Sequence, residues 1–357
     1  MKILYAVQAT GNGHIARAVE LLPYLQQHGK VDVFLSGSNS SLQNNLPVKF
    51  RSKGLSLFYG NSGGLDYWKM IKAFSPLRII KEAKALPVEQ YDIVLNDFES
   101  ITALACKMKK VPFVHFGHQA SFASPLVPRP AKYDIAGDII LKHYARCRNN
   151  IGLHFSQYDN NIYNPVLKKE IVNACPEDHG HITVYLSHYS DEMLVPHLGK
   201  LKDLHFHVFS KKARAITSCG NITFIPVSNK AFTKSMITAS GIITGAGFET
   251  PAEALYMGKK LLCLPILGQY EQLCNAAALE KFNVTVIERI TGMFSFQVRM
   301  WLNGLPPRKL HLTHTTEDIV DIAIEKAVSL RNNEKYLLKE SLEHSQIRFP
   351  LPGYYSV

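Results

Sequence analysis

Thr244-Gly245-Ala246-Gly247-Phe248-Glu249-Thr250-Pro251-Ala252-Glu253-Ala254-Leu255 decides the fold, together with Leu264-Pro265 and Gln269-Tyr270-Glu271-Gln272-Leu273-Cys274-Asn275-Ala276 behind it. The order is an apolar strand (240–244), a glycine turn, a helix, a second strand (261–264) and a polar loop opening another helix. Gly245 and Gly247 let a ligand approach the backbone, and the helix that follows offers unpaired N–H groups and a positive dipole end. A diphosphate fits such a place. Glu253, one turn further, is suited to holding a pair of ribose hydroxyls. The same residues also fit a capping box, with Thr250 at the N-cap, Pro251 at N1 and Glu253 reaching back to the cap. A cap explains nothing about Gln269, Glu271, Gln272 and Asn275. A polar cluster straight after a buried strand is expected to face a ligand.

Outside this stretch, 357 residues suit two domains of ordinary size, and 46% hydrophobic with 19% charged residues is a globular composition. No run of 18 or more apolar residues appears, so no transmembrane helix is expected. The N-terminus runs straight into a glycine turn without a signal-peptide core, which points to the cytoplasm. Six cysteines show no CxxC or metal-finger spacing and read as reduced, structural thiols. The formal charge is +11 and the pI about 9.2. No nucleic-acid motif accompanies this charge, and it is dispersed, so nucleic acid is not an expected partner. An anionic membrane surface or an anionic substrate remains to account for it.

The first half alternates strands (2–7, 31–35, 92–96, 111–116) with helical patterns, and 151–155 reads as its last strand. Such alternation means a parallel α/β sheet. Pro23 is expected to kink or shorten the first helix. The second half repeats the scheme with strands at 182–186, 204–209 and 222–225 before the glycine stretch, and the chain ends in helical segments. The expected division is 1–172, a linker 173–181, a second domain 182–316 and C-terminal helices 317–357. Trp68 to Leu86 is basic and apolar, and such a segment can lie on an anionic bilayer; Pro76 is expected to break it in two. An ordinary solvated helix face is the competing account.

Gly11-Asn12-Gly13-His14-Ile15-Ala16 satisfies the dinucleotide fingerprint G-x-G-x-x-G/A. The acidic residue that should end the second strand is missing: that strand runs into Ser36-Gly37-Ser38, and Asp32 lies at its start. His14 is a candidate general base; alternatively it only opens the helix. Asp97 ends a strand on the same sheet edge, where it can orient His14 or cap the helix that follows.

These motifs resemble the GT-B glycosyltransferases, and the 244–276 stretch is similar to the donor half shared by family 28 enzymes and the UDP-glucuronosyltransferase group. Asp97-Phe98-Glu99 and the short loop from Gly11 to His14 resemble an uncharacterised bacterial and archaeal family 28-like set. The resemblance implies two Rossmann-like, doubly wound domains with a cleft between them and the last helix packed back on the first domain. It implies a hexosyltransferase that moves a sugar from a nucleotide donor, UDP-linked, to a hydroxyl acceptor that includes lipid-linked candidates, inverting and metal-independent. Neither a cofactor nor a metal ligand is expected, and the protein would be cytoplasmic or peripheral on the inner membrane face. His14 and Asp97 would be the catalytic pair. Gly245, Ala246, Gly247, Phe248, Glu249, Thr250, Glu253, Gln269, Glu271, Gln272, Asn275, Ser187 and Ile225 would meet the donor. Gly11, Gly13, His118 and Gln119 would face the acceptor. A nucleotide-sugar hydrolase or 2-epimerase, or a non-catalytic nucleotide-sugar-binding subunit, stays open on the same fold.

Overall fold

Strand segments apolar on both faces need helices on each side, and the helix patterns between them supply the cover. The computed structural model, which describes residues 1–9, 12–37, 46–54 and 75–345 and side chains as far as Asn333, contains two such sheets. The first comprises β1 (Lys2–Gln8), β2 (Lys30–Ser36), β3 (Val48–Ser52), β4 (Ile93–Asp97), β5 (Val114–Gly117), β6 (Asn150–Leu153) and β7 (Ile162–Tyr163). All its pairs are parallel, in the order β3-β2-β1-β4-β5-β6-β7.

The second holds β8 (His181–Tyr185), β9 (His205–Ser210), β10 (Thr217–Cys219), β11 (Ile222–Pro226), β12 (Gly241–Thr244), β13 (Lys260–Cys263) and β14 (Thr285–Val286). Its order is β10-β11-β9-β8-β12-β13-β14, antiparallel only at the β10–β11 edge. In each sheet the winding reverses between two neighbouring strands, β1 and β4 in the first, β8 and β12 in the second. Ligands of open α/β sheets collect at the carboxyl ends beside such switch points. One apolar cluster continues from Ile3, Val7 and Ile15 through Phe155 to Phe248 and Leu255, so the two halves share a core.

Several local expectations change. The helix Asn12–Gln27 runs through Pro23 without ending there. The break expected at Pro76 is present on its described side: Ser75 is extended and the helix Pro76–Ala85 begins at the proline, where a missing N–H costs nothing. The part of the basic stretch before residue 75 lies outside the described residues. The strand expected at 151–155 is not the last of its sheet, because β7 follows it. Asp97 does not cap the next helix: Glu99 does, accepting from Ile101 N at 2.9 Å and Thr102 N at 2.5 Å. The tail is one helix, Thr316–Ser345, opened by a reciprocal pair in which Asp318 accepts from Thr315 N and Thr315 Oγ1 accepts from Asp318 N. It lies against β4, β5 and the helix Asn12–Gln27. Among the described residues no helix is long and apolar enough to cross a membrane.

Glu99 is fully buried, so its cap has no water to replace it. Glu99→Ala should destabilise the chain by about 1–2 kcal/mol, read as a lower melting temperature. An unchanged melting temperature would mean that the helix Ser100–Lys109 does not depend on this carboxylate.

Candidate functional site

The loops at the two switch points face one another across a cleft of about 850 Å³. From the first half, Asn12, Gly13 and His14 enter it on the first turn of the helix after β1, with Phe98, His118 and Gln119 from the ends of β4 and β5. From the second half come Ser187 after β8, Gly245 to Thr250 after β12 (Ala246 excepted), and Gln269, Glu271 and Gln272 after β13. Gly11 lies outside the described residues.

His14 Nδ1 is 3.0 Å from Asp97 Oδ1. In the tautomer that donates from Nδ1 to the carboxylate, Nε2 is unprotonated and faces Gln119 Nε2 at 3.4 Å; an Nη of Arg17 lies 3.1 Å from the same Nδ1. Asp97 is fully buried and is also gripped by Arg17, one helical turn beyond His14. Arg17 Nε donates to Oδ2 at 3.2 Å and an Nη to Oδ1 at 2.8 Å and Oδ2 at 2.9 Å. The other Nη of Arg17 donates to Glu249 Oε1 of the second half. Burial alone would raise the Asp97 carboxyl, but Arg17 and His14 outweigh it and hold it well below the usual carboxylate range. Burial pushes Glu249 up, against the pull of Arg17. A guanidinium thus sits between two carboxylates, with an imidazole beside it.

Two backbone features lie beside Asp97. Gly117 has φ +156°, and a Cβ on it would collide with Asp97 Oδ1. Phe98 adopts the left-handed region at φ 55°, a strain of about 1–3 kcal/mol in a bulky residue. Asn96 holds that turn by accepting from Glu99 N at 2.8 Å and donating to Glu99 O at 2.7 Å.

The second half departs from the sequence reading in several places. The helix Glu249–Tyr256 has Phe248 at its N-cap and no side-chain cap, so Thr250, Pro251 and Glu253 form no capping box. Thr250 instead faces the cleft in the first turn. Glu253, expected to hold ribose hydroxyls, does not line the cleft; it is 2% exposed and pairs with Lys168 Nζ at 3.0 Å. Asn275 and Ala246 also lie behind the cleft wall. Asn275 Nδ2 donates to Ala246 O at 3.1 Å, and its Oδ1 is 2.8 Å from His118 Nε2. His118 lies flat on Phe248, ring centroids 3.9 Å apart, so these residues seal the two halves together. Ile225, on β11, does not reach the cleft lining. Gln272 braces its own loop, accepting from Ile266 N at 3.0 Å and donating to Gln269 Oε1 at 3.0 Å.

Arg17 escaped the sequence reading although its spacing from His14, i to i+3, sets both on one helix face. Lys211 and Lys212, after β9, also line the cleft unforeseen. Among the described residues no group of three or more His, Cys, Asp or Glu is arranged to hold a metal ion.

The profile described as glycosyl transferase family 1 matches residues 1–306. No curated protein sequence matches the chain. Among solved structures it is similar to Arabidopsis thaliana UGT89C1 complexed with UDP, at 15% identity and a TM-score of 0.56, covering 93% of this chain and 94% of that one. It is similar to the spinosyn forosaminyltransferase SpnP at 12% identity and a TM-score of 0.56, covering 95% of this chain and 99% of that one. Phytolacca americana UGT2 complexed with UDP-2fluoro-glucose and pterostilbene gives 13% identity, a TM-score of 0.55 and 93% coverage of both chains. At these identities the likeness concerns the fold, which is GT-B.

Removing the guanidinium leaves two carboxylates buried together. Arg17→Ala should cost about 3–5 kcal/mol of stability, and Arg17→Lys should recover little, because an ammonium lacks the planar fork. Equal melting temperatures for wild type and Arg17→Ala would show the cluster to be energetically idle.

Glu253 gives a pH signature. Burial pushes its carboxyl up to about 7, against Lys168. A folded value above the unfolded one, ordinarily about 4.3, makes the folded chain hold a proton that the unfolded chain releases. That contribution is present in full below the unfolded value and is lost as pH rises through the folded one. Glu253→Gln should therefore flatten the fall in melting temperature between about pH 5 and pH 8; an unaltered slope would show that Glu253 titrates normally.

Proposed function

Because the chain belongs to glycosyl transferase family 1, and is thus a glycosyltransferase, we propose that it moves a sugar from a UDP-linked donor to a hydroxyl acceptor. The proposed reaction is a single displacement that inverts the anomeric carbon and needs no metal ion. The observation that carries it is the His14–Asp97 pair at 3.0 Å, set where the two switch points meet. His14 Nε2 takes the acceptor's O–H proton as that oxygen bonds to the anomeric carbon. The bond from that carbon to the diphosphate breaks, and its electron pair leaves with UDP.

Charge supports this division of labour. Asp97, held in its charged form by Arg17, meets the proton that arrives on His14. On the donor side, the uncapped N–H groups that open the helix Glu249–Tyr256 face developing negative charge on the diphosphate. Asp32, which a dinucleotide enzyme would need at the far end of β2, is tied instead to Lys49 at 2.6 Å and Tyr91 at 2.9 Å.

His14→Ala should cut turnover by about 10²–10⁴ and leave UDP affinity within about twofold, because donor contacts come from the other half. Asp97→Asn should lose less, and the double variant should be little worse than His14→Ala. The acid limb of the pH–rate profile should be absent in His14→Ala. Normal turnover in both single variants would remove the pair from catalysis. Free sugar or an epimer released stoichiometrically from UDP-sugar alone would favour the hydrolase or epimerase reading.

A further inference from the structure

The helix Ile135–His143, which follows β5, is turned inside out. Its buried side carries Asp138 and Leu141, while Ile135, Ile139 and Ile140 face outward at 68%, 53% and 37% exposure. Spacings of four and five residues set those three on one side of the helix. A helix that met only water would carry its polar residues there. Two more exposed apolar side chains adjoin it in the chain. Tyr133 precedes the helix, and Leu126 belongs to the loop that Arg129 ties to it through Asp138 at 3.6 Å.

The charges beside this face have one sign. Lys132, Lys142, Arg146 and Arg148 are all exposed. The carboxylates of the same stretch are turned to other tasks. Asp134 caps the helix by accepting from Gly137 N at 3.1 Å, and Asp138 is buried against Arg129 and Lys142. An apolar centre with cations at both ends fits an anionic bilayer, whose acyl boundary takes the isoleucines and whose headgroups take the cations. A second copy of the chain would bring like charge against this face, since each chain carries +11.

The face stands beside the cleft. Gly137 packs so closely on Tyr270 that a Cβ would collide with its side chain, and the rings of Tyr133 and Tyr270 meet edge-on at 5.9 Å. Tyr270 lies between Gln269 and Glu271, which line the cleft from the second half. The helix also packs on the turn Gln119–Ala123, whose Gln119 lines the cleft from the first half. We propose that the outer face of the helix Ile135–His143 docks on an anionic lipid bilayer and holds the cleft at the lipid surface. This docking does not rest on the glycosyl-transfer reading, which a thermal response to UDP tests separately.

The test sediments the full chain with phosphatidylcholine vesicles made with or without phosphatidylglycerol and measures the bound fraction. The chain should bind the anionic vesicles, release from them as salt rises, and bind the neutral ones far less. Lys132→Glu combined with Arg146→Glu should weaken binding about tenfold or more, and Ile135→Ser combined with Ile139→Ser by a similar factor. Lys230→Glu combined with Lys234→Glu, an equal change of charge on the other half, should leave most of it. All three variants should keep the wild-type melting temperature and response to UDP. Equal weakening by the two charge variants would assign binding to net charge and overturn the proposal. So would failure to sediment with either vesicle. A dimer in sedimentation velocity that the isoleucine variant dissolves would put a second copy on this face, and would overturn it too. A chain that docks through these residues yet ignores UDP would remove the donor reading and leave the docking surface standing.

Discussion

The guanidinium of Arg17 is the contact on which the rest of the site depends. It is 2% exposed, and it reaches a carboxylate from each half of the molecule, Asp97 and Glu249. A buried charge is tolerable only when opposite charge and hydrogen bonds surround it. Arg17 therefore fixes the place of Asp97, Asp97 fixes the ring of His14, and Glu249 ties both to the opposite wall of the cleft. Gly117 follows from the same demand, since a side chain there would intrude on the Asp97 carboxylate.

Much of the architecture was legible because burial writes itself into the sequence. Strands buried on both faces appear as apolar runs, and β1, β4 and β12 were found within a residue or two of their ends. β7, β10 and β14 are two or three residues long, too short to leave a pattern. Pro23 does not shorten its helix, because one lost hydrogen bond ends an isolated helix more readily than one packed on both a sheet and the helix Thr316–Ser345.

The site was legible in part, for a different reason. Residues at the carboxyl ends of switch-point strands must lie near the cleft, and His14, Gln119, Ser187, Gly247 and Gln272 do. Which way a helix side chain points depends on where that helix starts. Thr250 was read as an N-cap, whereas the helix begins at Glu249. Glu253 lies on the side of that helix that meets Lys168, outside the cleft lining. Asn275 was placed at the donor and not at its partner His118, since nothing local in the chain marks a contact across 157 residues.

The helix Thr316–Ser345 has a mechanical consequence. By returning to β4 and β5 it makes the chain cross from one half to the other twice, once after β7 and once before Thr316. Two connections leave the halves fewer relative placements than one would, so the connectivity shortens the search by which Glu249 of one half meets Arg17 of the other.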